Sequence, residues 1–364
     1  MSDLLLKDWM PISTFVLDEH HIKRAKYPVI DVHTHGAITL RRRDYTLEEA
    51  IVKLGIRELF PPKNWEPRTM TVNDSVKIMD ACNIEKVVDL DGITPIKDYM
   101  KAYKNYPDRF IVFACVSFKE MDDPKFGEKE AARLEQAVSD GARGFKVHKI
   151  LGLTVRDRTG KLVSVDDPRL DPIWEKAGDL GVPVLIHVSD PASFFLPIDR
   201  FNPSYVTLRY DYPEWSFCGP GFPEKGVILN QRDNLLRKNP KTIFIGAHHG
   251  NYPENLRYVG EVLDKYPNFF VEFSARIAIL GRQPNTARKH FIRYQDRILF
   301  GTDGFLDQMG YEFQFRFLET DDDYFGLGEG APSDLLQRIS GISLPDEVLR
   351  KIYNVNAQKI IPKM

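Results

Sequence analysis

Nine histidines occur in this chain of 364 residues, and their placement is the first sign of chemistry. His33 and His35 stand two positions apart in Val29-Ile30-Asp31-Val32-His33-Thr34-His35-Gly36, where apolar residues at 30 and 32 alternate with ionisable ones at 31, 33 and 35. That is the two-residue period of a strand with two unlike faces, so both imidazoles are expected to point the same way. A strand fixes their separation before any ion arrives, and Gly36 lets the chain turn away afterwards; two such imidazoles can hold one cation. Alone, His-x-His is a weak signal, since two polar residues at a strand end account for it equally well. Its company strengthens it. Lys146 and His148, His187, the pair His248 and His249, Ser274 and Arg276, and Asp303 each close an apolar, β-rich run. Six of the nine histidines (33, 35, 148, 187, 248 and 249) therefore fall at the ends of such runs. A mononuclear site wants three or four nitrogen and oxygen ligands with one position open, and His33, His35 and His187 closed by Asp303 meet that number. Taken alone, Asp303 also suits a helix N-cap. Alternation does not choose between His248 and His249.

These residues need a frame. Strands are read at 29–35, 86–91, 110–116, 143–148, 183–188, 242–248, 268–274 and 297–303, and helices at 71–82, 95–105, 128–140, 170–180, 228–238, 253–265 and 284–294. Strand alternating with helix implies parallel strands and crossover helices, and eight such units fit a (β/α)8 TIM barrel, whose chemistry sits at the C-terminal ends of its strands. The whole chain, 1–364, reads as one domain: an arm over 1–27, the barrel, and a C-terminal part over 304–364. Two long insertions interrupt the rhythm. One follows strand one (37–68, with Arg41-Arg42-Arg43 and a short helix over 46–55), and one follows strand five (190–226, rich in proline and aromatics, suited to a lid over an apolar pocket). The tail from 304 reads as an acidic, aromatic loop with helices near 333–339 and 345–360. His20 and His21 read as solvated.

Composition narrows the partners. Fifty basic against 52 acidic side chains leave a net charge of -2, which gives no electrostatic reason to expect nucleic acid or an anionic membrane. A small-molecule substrate is the expectation. Cys82, Cys115 and Cys218 are too few and too scattered for a disulfide framework. No signal peptide or membrane span is legible, so a cytoplasmic setting is expected.

The ordered set Asp31-Val-His33-Thr-His35, Val-Leu-Ile-His187, Gly-Ala-His248-His-Gly, Leu-Phe-Gly-Thr-Asp303 and a closing Asn356-Ala-Gln-Lys-Ile resembles the amidohydrolase-related (amidohydrolase 2) branch of the amidohydrolase superfamily. That branch includes decarboxylases similar to aminocarboxymuconate-semialdehyde decarboxylase and hydrolases of lactones. The resemblance covers about residues 28–362. It implies His33, His35 and His187 as metal ligands, Asp303 as a ligand or proton-handling carboxylate, and His248, rather than His249, as the residue working beside a bound water. Lys146 and His148 share an inward parity. Some amidohydrolases carry a carbamylated lysine there between two metals; the decarboxylase-like branch, built around one metal, implies instead that Lys146 meets a carboxylate or phosphate of the substrate. Arg276 invites the same reading, or a salt bridge to Glu272. A homo-oligomer is a family-level expectation.

The working expectation is metal-assisted hydrolysis of a lactone, amide or ester, with one divalent ion, most simply Zn²⁺, lowering the pKa of its water to about 7. His248 would orient the water and Asp303 would relay the proton, while Asp31 would hold an imidazole in its tautomer. The alternative is a lyase removing CO₂ from a carboxylated aromatic or muconate-like substrate, with Arg276, Lys146 or one of Arg41 to Arg43 gripping the carboxylate. A third class is a ligand-binding barrel without turnover.

Overall fold

Eight short runs of buried, largely β-branched and aromatic residues pair side by side: β1 Val29–Thr34, β2 Ile84–Gly92, β3 Phe110–Cys115, β4 Gly144–Val147, β5 Val184–Ile186, β6 Phe244–Gly246, β7 Phe269–Glu272 and β8 Ile298–Leu299. In the computed structural model, which describes residues 14–35, 70–92, 95–304, 306–326 and 338–362, every neighbouring pair is parallel and the order is β1 through β8. The seam between the first and last strands is closed by the Val32 N–H donating to the Phe300 carbonyl at 3.0 Å and by a parallel bridge from Thr34 to Gly304. The result is the expected α/β TIM barrel.

Helices alternate with the strands: α1 Val72–Cys82, α2 Ile96–Ala102, α3 Phe126–Ser139, α4 Asp171–Leu180, α5 Lys225–Lys238, α6 Leu256–Lys265, α7 Pro284–Arg293 and, after β8, α8 Gln308–Glu319. Local chemistry sets their ends. Thr71 and Asp74 form a reciprocal capping box at the start of α1, and Asn83 stops it in a left-handed conformation, which satisfies amide and carbonyl groups the helix itself leaves open. Side chains then sort into two layers. Ile30, Val32, Val88, Leu90, Phe113, Leu185, Ile245, Phe270 and Leu299 fill the inside of the barrel, floored by Ala357 and Ile360. Val87, Val112, Phe145, Val184, Phe244 and Val271 face outward onto Leu134, Trp174, Leu235, Val259 and Phe291 of the helices. Both faces of a parallel sheet are thereby buried, and its strands read as unbroken apolar runs until they reach their polar ends.

Those ends depart from simple alternation. On β1 the register slips between Asp31 and Thr34, three steps against the two from Val87 to Asp89. On β2 it slips between Asp89 and Gly92, three steps against the two from Val112 to Ala114. Each slip is a β-bulge, one extra residue that re-aims the side chains after it. Asp31, before the slip, alternates with the inward Ile30 and Val32 and faces outward, to the Tyr311 hydroxyl on α8 at 3.0 Å, while the bulge turns His33 inward; the expectation that 31, 33 and 35 share a face holds only for the two histidines. Gly92 permits the second bulge, because a Cβ there would lie 2.1 Å from the Phe113 carbonyl oxygen.

Three readings are corrected. The tail is not a loop over 308–319: Tyr311, Phe313, Phe315 and Phe317 mimic strand alternation, but Tyr311, Gln314, Phe315 and Leu318 form the buried face of helix α8. The described end of the expected 333–339 helix is extended, Ile339 pairing with Phe325; 333–337 lie outside the described residues. His20 is not solely solvated, because its Nδ1 lies 2.5 Å from Asp322. The expected helix over 46–55 and Arg41 to Arg43 also lie outside the described residues. No helix among those described is long and apolar enough to cross a membrane, and all three cysteines are free thiols.

Candidate metal centre

The bulge on β1 and the irregular backbone after β8 bring the first donors together. His33 Nε2 lies 3.0 Å from Asp303 Oδ1, and His35 Nε2 lies 3.2 Å from the same oxygen. These three ligand atoms all lie within 4.8 Å of one another. Asp303 is set there by strained backbone, its φ of +60° being one that costs an ordinary residue about 1–2 kcal/mol, and by its amide, which donates to the His33 carbonyl at 2.7 Å.

The remaining ring nitrogens are spoken for by acceptors, which fixes the tautomers. His33 Nδ1 lies 2.7 Å from Glu272 Oε1, and His35 Nδ1 2.7 Å from Asp91 Oδ1. His248 Nδ1 faces the Ser274 carbonyl at 3.0 Å. Each Nδ1 is thus held as the outer, donating side of its ring, and each Nε2 is left facing Asp303, where a bound cation would take the place of a ring proton; His248 Nε2 is 3.7 Å from Asp303 Oδ2. A carboxylate ringed by Nε2 atoms, each with an acceptor behind its ring, is a donor set suited to a cation. Two imidazoles and a carboxylate fit a divalent ion at His33, His35 and Asp303. A second group, His33 with His248 and Glu272, also clusters, but there Glu272 serves the imidazole: it orients His33 and accepts the His248 amide at 3.0 Å.

The carboxylates answer to this setting. Burial would raise Asp303 and Glu272, yet His33 beside both, with His248 near Asp303, pulls each below its ordinary range, Asp303 far below. Burial pushes His35 down, but Asp91 and Asp303 on either side overcome it and carry the ring up to about 10. His248 is held well below the usual imidazole range, by burial first and then by His187 and Arg276.

Other expected residues fall differently. His187 lies outside the inner group: its Nδ1 is 3.2 Å from His248 Nε2 and its Nε2 3.5 Å from Asp190. Lys146 is on the inner face of β4, 1% exposed, with Nζ 3.1 Å from His33 Nε2; burial lowers its pKa while Asp303 and Glu272 pull it back. His148 stacks toward His35 with centroids 6.3 Å apart, and its Nε2 is 3.5 Å from the Cys115 thiol. Arg276 pairs with Asp190 at 3.2 Å, not with Glu272. Asp31 holds no imidazole; it accepts from the His33 amide and from the Thr302 amide and hydroxyl, as well as from Tyr311. His248 and His249 both adopt left-handed backbone, φ +55° and +57°, because β6 ends at Gly246, so strand parity does not apply to them. In that turn His248 enters the centre, whereas His249 stacks on Phe291 outside the barrel.

A (β/α)8 barrel with imidazoles and a carboxylate converging at its strand ends defines a class of metal-dependent enzymes. The chain belongs to the amidohydrolase family, whose model matches residues 30–363. Among solved structures it is similar in fold to a dihydroxybenzoic acid decarboxylase from Polaromonas sp. JS666 with bound manganese and the inhibitor 2-nitroresorcinol (19% identity, 92% of this chain and 96% of that one, TM-score 0.58). It is likewise similar to 5-carboxyvanillate decarboxylase from Sphingomonas paucimobilis (13%, 92% and 99%, 0.53) and to 4-oxalomesaconate hydratase from Rhodopseudomonas palustris (16%, 92% and 95%, 0.52). No curated protein matches the sequence.

Proposed function

We propose that the protein is a metal-dependent carbon–carbon lyase that releases CO₂ from a small carboxylated substrate. The observation that carries this reading is Lys146: a buried amine on the inner face of β4, 3.1 Å from His33 Nε2, beside the proposed ion. A carboxylate arriving there favours the ammonium form and gains a charge-assisted hydrogen bond. A neutral lactone or amide offers that amine a carbonyl acceptor but no charge to pair with. The similarity in fold to decarboxylases supports the same choice over the hydrolytic one.

His33, His35 and Asp303 would hold the divalent ion, with His187 as the candidate fourth ligand; zinc is proposed from the imidazole-rich donor set. When bound, the ion supplies Lewis-acid polarisation of the substrate's oxygens. The chain's own residues do the rest. Lys146 orients the carboxylate. His248, neutral in its buried setting and fixed by Ser274, accepts a proton from solvent at Nε2 and returns it to the substrate carbon, which keeps the electron pair as the bond to CO₂ breaks. His148 stands beside His35, their ring centroids 6.3 Å apart. The proposed setting is the cytoplasm, where all three thiols stay reduced.

The test is product analysis on metal-loaded protein with hydroxybenzoates and lactones in H₂¹⁸O, with metal content measured by mass spectrometry. We expect CO₂ release without ¹⁸O in the organic product, and a zinc stoichiometry of one. His248→Asn should keep the metal and lose about 10²–10⁴-fold in turnover, whereas His33→Ala should lose both. Solvent ¹⁸O in the product with no CO₂ released would return the reading to hydrolysis.

A further inference from the structure

On the far side of His187 lies a group of charges that the reaction above does not use. Asp190, 4% exposed, sits just beyond β5, its Oδ1 3.5 Å from His187 Nε2. Lys149 donates to its Oδ2 at 2.7 Å and Arg276 to its Oδ1 at 3.2 Å. A further amine approaches the same residue from behind: Lys225 Nζ donates to the Asp190 carbonyl at 2.5 Å, the Asn251 carbonyl at 2.6 Å and the Ser189 hydroxyl at 3.1 Å.

Counting donors separates these groups. Lys225 has three N–H bonds and three acceptors, so it is a strut between the loops after β5 and β6. Lys149 has three N–H bonds and meets one acceptor, Asp190, among the described residues; its ammonium otherwise lies over the rings of Trp215 and Phe217, 5.1 and 5.6 Å from their centroids. Arg276 has five. One goes to Asp190 and one to the Ala275 carbonyl at 2.8 Å, while Nε is buried without an acceptor among the described residues. Two cations thus share one carboxylate, while Lys225, which burial lowers to about 7, has Glu254 as its own counter-charge. Surplus buried positive charge with open donors is unfavourable until an anion completes it. Lys149 and Arg276 are 13% and 12% exposed, so they are sheltered yet still reachable. His187 links this group to the centre, its Nε2 3.5 Å from Asp190 Oδ1 and its Nδ1 3.2 Å from His248 Nε2.

We propose that Lys149 and Arg276 form a second anion subsite, positioned by Asp190, which holds a carboxylate carried by the substrate away from its reacting end. The substrate is then a small dicarboxylic acid. This rests on reading the centre as a site that handles a carboxylate, and it adds the group that selects among carboxylic acids.

The experiment is calorimetric titration of the metal-loaded protein with benzoate and with benzene-1,2-, -1,3- and -1,4-dicarboxylate. At least one diacid is expected to bind tenfold or more tightly than benzoate. Arg276→Met and Lys149→Met should each reduce that advantage to twofold or less and leave the benzoate Kd within about twofold, with Arg276→Lys restoring part of it. Diacids binding no more tightly than benzoate to the wild type would overturn the subsite and leave the reading of the centre standing; that comparison decides even where a variant fails to fold. An advantage that survives both methionine variants would overturn it too. If metal-loaded protein binds neither benzoate nor any diacid, both readings fall together.

Discussion

Glu272 shows how much one buried side chain can organise. It faces His33 Nδ1 at 2.7 Å, accepts the His248 amide at 3.0 Å and the Ser274 amide at 2.7 Å, so one carboxylate sets the tautomer of a metal donor and the turn that carries His248. Gly301 makes room for it, since a Cβ there would lie 2.6 Å from Glu272 Oε2 and 3.1 Å from the His33 Cβ. Removing the charge in Glu272→Gln should weaken metal affinity about 10–100-fold, the usual effect of losing a partner behind a ligating imidazole. Gly301→Ala should act in the same direction by displacing it. Competition against a chromogenic chelator reads both, and unchanged affinity in Glu272→Gln would mean the carboxylate does not orient His33. At this scale the sequence exposed the donors, because histidine and aspartate at the end of an apolar strand stand out. It hid their partners. Asp91 and Asp190 look like ordinary residues of a strand end and a loop, and the bulges that decide which way His33 and Asp91 face leave no mark in composition.

At the scale of elements, every strand and every helix up to α7 was legible, because each is a periodic apolar run bounded by a turn residue or cap. What failed was α8, whose four aromatics at every second position imitate a strand, and the parity argument at β6, where the chain has already left the sheet before His248. The element that follows β7 offers a test of its own. His290 on α7 is 7% exposed, its Nε2 has no hydrogen-bond partner among the described residues, and its ring packs 5.0 Å from that of His249. Burial, and then Arg293, lower its pKa to about 4 from the ordinary 6.5. Below pH 6.5 the unfolded chain takes up a proton that the folded chain refuses, so this group lowers stability progressively as pH falls from about 6.5 to about 4, and not above that window. A shift of that size corresponds to about 3 kcal/mol at its lower end. His290→Phe keeps an uncharged ring in place and should flatten the fall in urea midpoint between pH 7 and 4; an unaltered slope would assign the acid sensitivity to other groups.

On the scale of the whole molecule, the decarboxylase-like structures share this barrel at identities that speak to the fold alone, and a barrel works only if its last strand meets its first. Here that seam is also the floor of the metal centre. Asp31, fully buried on β1, accepts the Thr302 amide at 3.2 Å and its hydroxyl at 2.7 Å, the Tyr311 hydroxyl at 3.0 Å and the His33 amide at 3.1 Å. It ties β1, the segment leading to Asp303, and α8 to one carboxylate. Asp31→Ala leaves those buried neutral donors without an acceptor and should destabilise the protein by several kcal/mol, at about 1–3 kcal/mol for each stranded donor. Tyr311→Phe removes one bond and should cost about 0.5–1.5 kcal/mol. Because Thr302 precedes Asp303, the first change should also weaken metal binding, while the second should leave it nearly intact. Urea unfolding and metal titration of the two variants separate the effects. Equal losses of stability in both, or full metal affinity in Asp31→Ala, would show that the barrel closes without this carboxylate and that Asp303 is held by its own backbone.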